Sequence, residues 1–533
     1  MRISMSENFI LELKLEYSTE EKVYLDKIFW CAKNIYNNEL NRIENRYKEL
    51  IKTKLYRQIM DSIENVSKEM ITIDVSITYL KENKNKLKDI VDYGNLLLKQ
   101  KEKYKILLEA QKYLHNFRCN LINSLGISEY DIQKDMKRYS YKNKTLISSN
   151  ILQKIATNLA KSLNNTIYKY KPIFKYKSIR DFNSIEGKDN KNGIVFDSND
   201  LVLKVGLKRN KSKRYKTINL IHNLSEYELK SLRNKICYCR IIRKDNIRGK
   251  SKYYLQLVMK GAVPIKDSIR YSTKGRVGID TGLTTMAVCS ENKAYFVKLS
   301  KKSQELNNTI INLQSYIDKS KKITNPNKYN ENGTYKRTKE KWVYSNRCKR
   351  AIIKLRDFQR KQKAIRKEEH NKLANYILTL GNEIYIEPIN YKGLAKRGKT
   401  EETKSRKRFG KSINKCAPAL FLNILKNKAQ NLSKTYKEIN TKTCKASQYN
   451  HIEDKYIKED LDVRVKNIGG YKVQRDLYSA FLIMNVNEDL KVINRDRCNK
   501  TFDTFIENQN EEITRIRKTK EDNSPNFGLE DLI

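Results

Sequence analysis

Asp280 is a candidate for a metal-binding carboxylate. It lies in the apolar run Val277–Cys289, which predicts a buried β-strand. Gly278 and Gly282 lie two residues to either side, so alternation puts them on the face of Asp280 and predicts open space around its carboxylate. Mg²⁺ takes oxygen ligands and keeps several of its own waters, which suits such a position. A strand-end Asp in an ordinary turn is the alternative if no other acid joins it.

Two further acids stand at the ends of predicted elements. Glu387 is the last residue of a short predicted strand, and Pro388 after it prevents further ladder pairing. Asp476 opens an amphipathic helix. An acid at a helix start is often only a capping or dipole partner, so both interpretations of Asp476 stay open. If the two acids meet Asp280, three carboxylates can hold two Mg²⁺ ions about 4 Å apart for in-line phosphodiester hydrolysis.

The order of these three elements resembles the RuvC nuclease core of the ribonuclease-H-like fold. The flanking residues narrow the resemblance to the TnpB family of transposon-encoded proteins, which are relatives of the type V CRISPR effectors. The matching stretches follow one another over most of the chain and are Asn34–Asn37, Gly278–Gly282, Ser345–Arg347, Ile386–Asn390, Ala417–Pro418 and Arg475–Ala480.

The resemblance implies an RNA-guided DNA endonuclease associated with transposon maintenance. Asp280, Glu387 and Asp476 would be the catalytic residues and the ligands of two Mg²⁺ ions, for which Mn²⁺ can substitute. The partners would be a transposon-derived guide RNA and double-stranded target DNA, with base pairing selecting the sequence while a basic surface holds the duplex. We expect a monomer in the bacterial cytoplasm that works at the nucleoid.

Other functions stay open beside this one. A compact type V CRISPR effector would share the chemistry, whereas an RNA-guided DNA-binding repressor would not cleave, and the presence of all three acids argues against the repressor. A strand-joining transposase would need a His-hydrophobe-His pair and a following Tyr nucleophile, which are not apparent. A structure-selective junction resolvase would not need so long a chain or so long a basic helical insertion.

The composition favours a polyanionic partner. The 533 residues carry a formal net charge of +49, so nucleic acid should bind and the binding should weaken steeply with salt. A genome rich in A and T would enrich Lys over Arg, but it does not explain so large an excess of basic over acidic residues. The nine scattered cysteines, with no secretory signal and no membrane-spanning apolar window, predict a reduced cytosolic protein without membrane association.

The length exceeds what one hydrophobic core usually organises, so we expect an α+β multidomain protein. Its parts would be a small antiparallel β-barrel (wedge) domain with an inserted α-helical recognition domain, followed by a ribonuclease-H-like (RuvC) mixed α/β core. The predicted bounds are residues 1–17 and 172–270 for the wedge domain, 18–171 for the helical domain, 271–440 and 475–508 for the core, 441–474 for an insert resembling a degenerate zinc ribbon, and 509–533 for a disordered tail.

A basic stripe is predicted on one helix of the core. The helix spans residues 337–380 and puts Arg347, Arg350 and Lys354 along one side, where they would clamp phosphates. A merely soluble helix face is the alternative.

Aromatic and basic residues alternate over residues 168–177, where Tyr168, Tyr170 and Lys171 are candidates for nucleic-acid binding. Rings can stack on unpaired bases while lysines hold phosphates. The same rings would equally fill a domain junction.

The interval between Glu387 and Asp476 departs from the family pattern. TnpB-type proteins usually carry a four-cysteine zinc ribbon there, whereas this interval offers Cys444 and His451 with no Cys-x-x-Cys. A structural zinc site needs four ligands, so we predict that the insert binds no zinc and is held by packing. The basic loop over residues 392–411 is expected to lie over the acids.

Overall fold

The computed structural model describes residues 8–83, 93–142, 146–209, 212–220, 224–245, 251–265, 269, 274–336, 338, 340–396, 409–460 and 463–519. The chain divides into two units, one of residues Met1–Asn246 and Lys250–Ala262 and one of Ile247–Gly249 and Val263–Ile533. In the described part of the chain, none of the helices combines the length and the apolar character needed to cross a bilayer.

One antiparallel sheet of seven strands organises the first unit. The strands are β1 (Asn8–Glu16), β2 (Ser184–Glu186), β3 (Ile194–Asp197), β4 (Val202–Arg209), β5 (Ser212–Leu220), β6 (Lys235–Asp245) and β7 (Ser251–Lys260). Their order is β2-β6-β7-β1-β5-β4-β3. β1 pairs with β7 on one side and with β5 on the other, so the strand nearest the start of the chain lies inside the sheet. Asn190 bonds to both Phe196 and Cys239, which ties β3 to β6 and curls the sheet.

The helices of the first unit lie mostly between β1 and β2. They are α1 (Thr19–Leu50), α2 (Lys54–Glu82), α3 (Tyr93–Asn123), α4 (Glu129–Lys142), α5 (Ser149–Asn164) and the short α6 (Glu226–Leu232). A capping box starts α1, since Ser18 Oγ accepts from the Glu21 amide while the Glu21 carboxylate accepts from the Ser18 amide. Apolar residues of α1 and α5 pack with the inner face of the sheet in one core.

A mixed five-stranded sheet organises the second unit. Its strands are β8 (Arg276–Thr281), β9 (Thr285–Ser290), β10 (Lys293–Lys298), β11 (Glu383–Ile386) and β12 (Thr435–Glu438), in the order β10-β9-β8-β11-β12. β9 pairs antiparallel with both β8 and β10, and β11 runs parallel to both β8 and β12. The expectation of a single strand over Val277–Cys289 is therefore wrong, because the chain reverses at Gly282, whose amide donates to Thr285 O (3.0 Å).

Helices cover both faces of this sheet. They are α7 (Lys301–Gln304), α8 (Asn307–Thr324), α9 (Asn346–Leu380), α10 (Tyr391–Ala395), α11 (Gly410–Cys416), α12 (Pro418–Asn431), α13 (Arg475–Met484) and α14 (Arg495–Lys518). α9 and α12 pack on one face, and α13 and α14 pack on the other. The long helix begins at Asn346 and not at residue 337, because the Ser345 hydroxyl caps it by accepting from the Cys348 amide (3.1 Å).

The prediction of a disordered tail from residue 509 is wrong for the residues that the structure describes. α14 continues to Lys518 and buries Gln509, Glu512, Ile513 and Ile516. These residues continue the buried helical face that Cys498, Phe502 and Phe505 form, so the helix gains packing beyond the predicted end. Residues 520–533 lie outside the described part of the chain.

Candidate active site

Asp280 and Glu387 end two neighbouring parallel strands at the same edge of the mixed sheet. Ile279 of β8 pairs with Ile386 of β11, and the Glu387 amide extends the ladder by donating to Ile279 O (3.4 Å). The Thr281 hydroxyl donates to Glu387 O (3.3 Å), which ties the two strand ends together. Glu387 therefore stands at the end of its strand as expected, whereas Asp280, expected inside one long strand, lies one residue before the end of β8.

Gly278 brings α13 onto the backbone of β8. A Cβ atom at Gly278 would lie 2.1 Å from Ala480 O and 2.3 Å from Met484 N. The Arg276 guanidinium donates to Met484 O (3.2 Å), which places the end of the helix over the start of the strand. The helix therefore runs opposite to β8, and its first turn, with Asp476, lies toward Asp280. The space predicted beside Gly278 is filled by helix backbone and is not open.

Asp476 is not the residue that caps α13. Gln474 occupies that position, and its side-chain oxygen accepts from the Leu477 amide (2.7 Å). The carboxylate of Asp476 faces Arg464 instead, at 3.8 Å from the guanidinium. The capping interpretation of Asp476 is thus wrong, and the carboxylate remains available for other contacts.

The three carboxylates act on one another electrostatically. Burial raises the pKa of Asp280 well above its usual value, and the negative charges of Asp476 and Glu387 raise it further while Arg475 opposes them. Burial also raises the pKa of Glu387 and that of Asp476, the second against Arg464 and Arg475. Like charges have this effect only at short separation. Glu387 and Asp476 thus lie close enough to Asp280 for their charges to act on it.

The three carboxylates have the donor chemistry of a hard divalent cation. They offer only oxygen ligands, and a cation would relieve the repulsion that raises the pKa of Asp280. Within the described residues, no group of three His, Cys, Asp or Glu side chains is arranged to hold a metal ion. The acids fit such an ion in type and charge, and their side chains must draw together to share one.

Comparison with known proteins gives distant likenesses among solved structures. No protein-family model matches the chain, and no curated protein matches it. Among solved structures, the chain is similar to a Cas12f1-sgRNA-target DNA complex at 13% identity and a TM-score of 0.40, over 89% of this chain and 98% of that one. It is similar to a CRISPR-Cas12f ternary complex at 12% identity and a TM-score of 0.25, over 90% and 99%. At these TM-scores neither likeness carries an argument about this chain.

Three residues near the acids were not anticipated as members of the site. Arg464 faces Asp476, and Arg475 is held by Asp460 O (3.0 Å), so both guanidiniums temper the negative charge. Tyr391 is buried, and its pKa is raised by burial and by the charges of Asp280 and Glu387, while the nearby Thr281 hydroxyl opposes this. In the sequence, the one sign that Tyr391 belongs to the site is its position four residues after Glu387.

The predicted nucleic-acid residues of α9 share one exposed side of the helix. Arg347, Arg350 and Lys354 are all exposed there. They lie in the same unit as the three acids, and their role stays a prediction.

The aromatic candidates lie in the first unit. The Tyr168 hydroxyl donates to Asn123 at the end of α3 (2.6 Å), which is a contact within the helical part of the unit. Tyr170 is 57% exposed and lies beside Arg118, whose guanidinium carbon is 5.6 Å from the ring centroid, and Lys171 is exposed. Of the two rings, only that of Tyr170 is largely open to a base.

The insert is held by packing on α13 and α14. It consists of two small hairpins, β13 (Tyr449–Asn450) with β14 (Lys455–Tyr456) and β15 (Val465–Ile468) with β16 (Tyr471–Gln474). His451 is fully buried against the Phe502 ring (4.7 Å between centroids) and lies 2.7 Å from the Tyr478 hydroxyl. The absence of zinc stays a prediction. The loop expected over the acids lies largely outside the described residues, since only residues 392–396 and 409–411 of it are described.

Proposed function

We propose that this chain is an RNA-guided DNA endonuclease of the TnpB type that cleaves DNA phosphodiesters. The observation that carries the proposal is the pairing of β8 with β11 beside Asp280 and Glu387, together with the contact at Gly278 that turns the start of α13, with Asp476, toward them. Burial raises the pKa of Asp280, and the negative charges of Asp476 and Glu387 raise it further. A cluster of negative charge in such a position is typical of a functional site and needs a cation to be stable when fully ionised.

Asp280, Glu387 and Asp476 would hold Mg²⁺, two ions by the resemblance, with Mn²⁺ as a substitute. When bound, the metal supplies an activated water and stabilises the leaving oxygen of the phosphodiester. The strand pair β8 and β11 fixes Asp280 and Glu387, and the contact at Gly278 fixes the helix that bears Asp476. Arg464 and Arg475 partly neutralise the negative charge of Asp476.

The guide RNA and the double-stranded target DNA are the proposed partners. The net charge of +49 supports polyanions as partners, because neutralising phosphates releases counterions. Base pairing with the guide would select the target, while the protein holds the backbone. A transposon-derived guide is the first choice, and a compact type V CRISPR effector is the alternative setting.

The test is purification of the chain, sequencing of the RNA that accompanies it, and a cleavage assay with Mg²⁺. We expect a discrete RNA with a variable end and cleavage of DNA that matches this end. Asp280→Asn, Glu387→Gln and Asp476→Asn should each abolish cleavage and retain binding, whereas Asp503→Asn, at an exposed acid of α14, should cleave normally. Random cellular RNA, or normal cleavage by any of the three variants, would refute the proposal.

A guided DNA-binding protein without cleavage is the second candidate. Two observations favour it, namely the 3.8 Å ion pair of Arg464 with Asp476 and the lack, within the described residues, of a ready-made metal-binding group. Intact target DNA, tightly bound by the wild-type protein with guide and Mg²⁺, would support this candidate over the endonuclease.

A further inference from the structure

The connector over residues 325–345 lies at the outer end of a helical arm. α9 has 35 residues and is therefore about 52 Å long. Its second half packs under the sheet through Ala374 and Ile377, whereas in its first half Cys348 and Ala351 pack with Ile317 of α8. The connector that joins the two helices is thus carried away from the sheet, at the end of α8 and the start of α9.

Hydrogen bonds tie together the described residues of the connector, which are 325–336, 338 and 340–345. Asn325 makes two hydrogen bonds to the backbone of Val343, both 2.8 Å, which closes its ends. Lys328 is 4% exposed, and its ammonium donates to the carbonyls of Glu340 (2.6 Å) and Lys341 (2.8 Å). A buried ammonium that bonds to two backbone carbonyls holds one side of the connector against the other.

Three aromatic rings meet in this connector. The Tyr329 centroid is 5.0 Å from that of Tyr335, and the Trp342 ring meets Tyr335 edge-on at 5.7 Å. The Lys328 ammonium lies 5.0 Å from the Trp342 ring centroid. Tyr335 nevertheless remains 58% exposed and Trp342 36% exposed. Rings that serve only as the core of the connector would be more deeply buried, so the cluster presents aromatic surface to solvent.

Positive charge surrounds the three rings. Residues 321–350 contain ten Lys and Arg against two Glu. Among the described residues, Lys322, Lys336, Lys341 and Arg347 are exposed. An exposed apolar patch inside such a field suits a ligand that is flat and apolar in one part and anionic in the other.

We propose that Tyr335 and Trp342 form a stacking platform for an unpaired base of single-stranded nucleic acid, with the surrounding lysines on its phosphates. The proposal rests on the proposed function, for which it supplies a contact to an unpaired strand during recognition or cleavage. Every base has a π-face, so the platform accepts single strands without selecting sequence.

Tryptophan fluorescence tests the contact directly. The chain has two tryptophans, so Trp30→Phe leaves Trp342 as the sole emitter. Titration with an oligothymidylate, without divalent metal, should quench this emission in step with binding followed by anisotropy. An abasic oligomer of equal length should bind through its phosphates without quenching. Unchanged emission at saturation with oligothymidylate, or equal quenching by the abasic oligomer, would overturn the proposal. Repeating the titration with oligouridylate shows which kind of strand binds more tightly.

Substitution of Tyr335 separates stacking from folding. Tyr335→Leu keeps an apolar contact for Tyr329 but removes the ring, and should weaken oligothymidylate binding about tenfold, whereas Tyr335→Phe should bind like the wild type. Equal affinities of the two variants, with unchanged thermal unfolding, would refute the platform. If oligothymidylate quenches the Trp342 emission but the wild-type protein cuts no guided target, the endonuclease proposal is refuted and the platform stands. If the protein cuts guided targets but the emission is not quenched, the platform is refuted and the endonuclease proposal stands.

Discussion

Gly278→Ala is the substitution that most directly tests how the three acids are brought together. The added methyl would lie 2.1 Å from Ala480 O, whereas ordinary contact begins at about 3.4 Å, so α13 must recede by at least about 1 Å. Overpacking of this kind costs about 1–3 kcal/mol of unfolding free energy. The helix bears Asp476, and a displacement of about 1 Å in a catalytic group can lower the rate about a hundredfold.

The assay compares guided cleavage rates and urea unfolding of Gly278→Ala with those of Gly410→Ala. Among the described residues, a methyl at Gly410 would meet Ala395 O alone, at 3.8 Å, so this control should leave both quantities nearly unchanged. Cleavage and stability of Gly278→Ala equal to those of the control would show that the close approach of helix and strand does not position the acids.

Three further outcomes are expected. Glu512→Ala should lower the free energy of unfolding in urea by about 1–3 kcal/mol, because it removes the acceptor of the buried Phe296 amide (2.8 Å) at the edge strand β10. Glu512→Gln keeps an acceptor and should lose less. Equal losses in the two variants would contradict the role of this hydrogen bond. Burial lowers the pKa of His451 to about 4 from 6.5, so the unfolded state binds the proton first as the pH falls. Between pH 6.5 and 4, the wild type should therefore lose about 3 kcal/mol more unfolding free energy than His451→Phe. Parallel profiles of unfolding free energy against pH for the two proteins would contradict this prediction. Arg350→Gln should reduce the slope of log affinity against log salt by about 0.9 if Arg350 neutralises one phosphate, whereas an unchanged slope would leave this residue as an ordinary exposed cation.

The end of β11 was predictable because local patterns decide it. Glu387 follows a short apolar strand and precedes Pro388, and both features act within a few residues of the acid. The reversal after Thr281 was missed, because two apolar strands with a Gly between them read as one continuous strand. Neither Gly278 nor Gln474 revealed its role, since one contacts a helix some two hundred residues later and the other caps that helix.

The end of α14 was missed for a related reason. Gln509 and Glu512 are polar, so their sequence pattern favours an exposed or disordered segment. In the fold their side chains accept from the backbone amides of Gln474 and Phe296, which satisfies them in a buried position. A polar residue whose partner is distant in the chain gives no sign of burial in a sequence pattern.

The place of β1 inside its sheet has a consequence for biosynthesis. Leu13 pairs with Leu255, so this strand leaves the ribosome some 240 residues before its neighbour β7. At ordinary rates of translation the wait is on the order of tens of seconds. Over that interval its backbone hydrogen-bonding groups lack their final partners, and the nascent chain depends on the amphipathic α1 or on a chaperone to shield Leu11, Leu13 and Leu15 from aggregation.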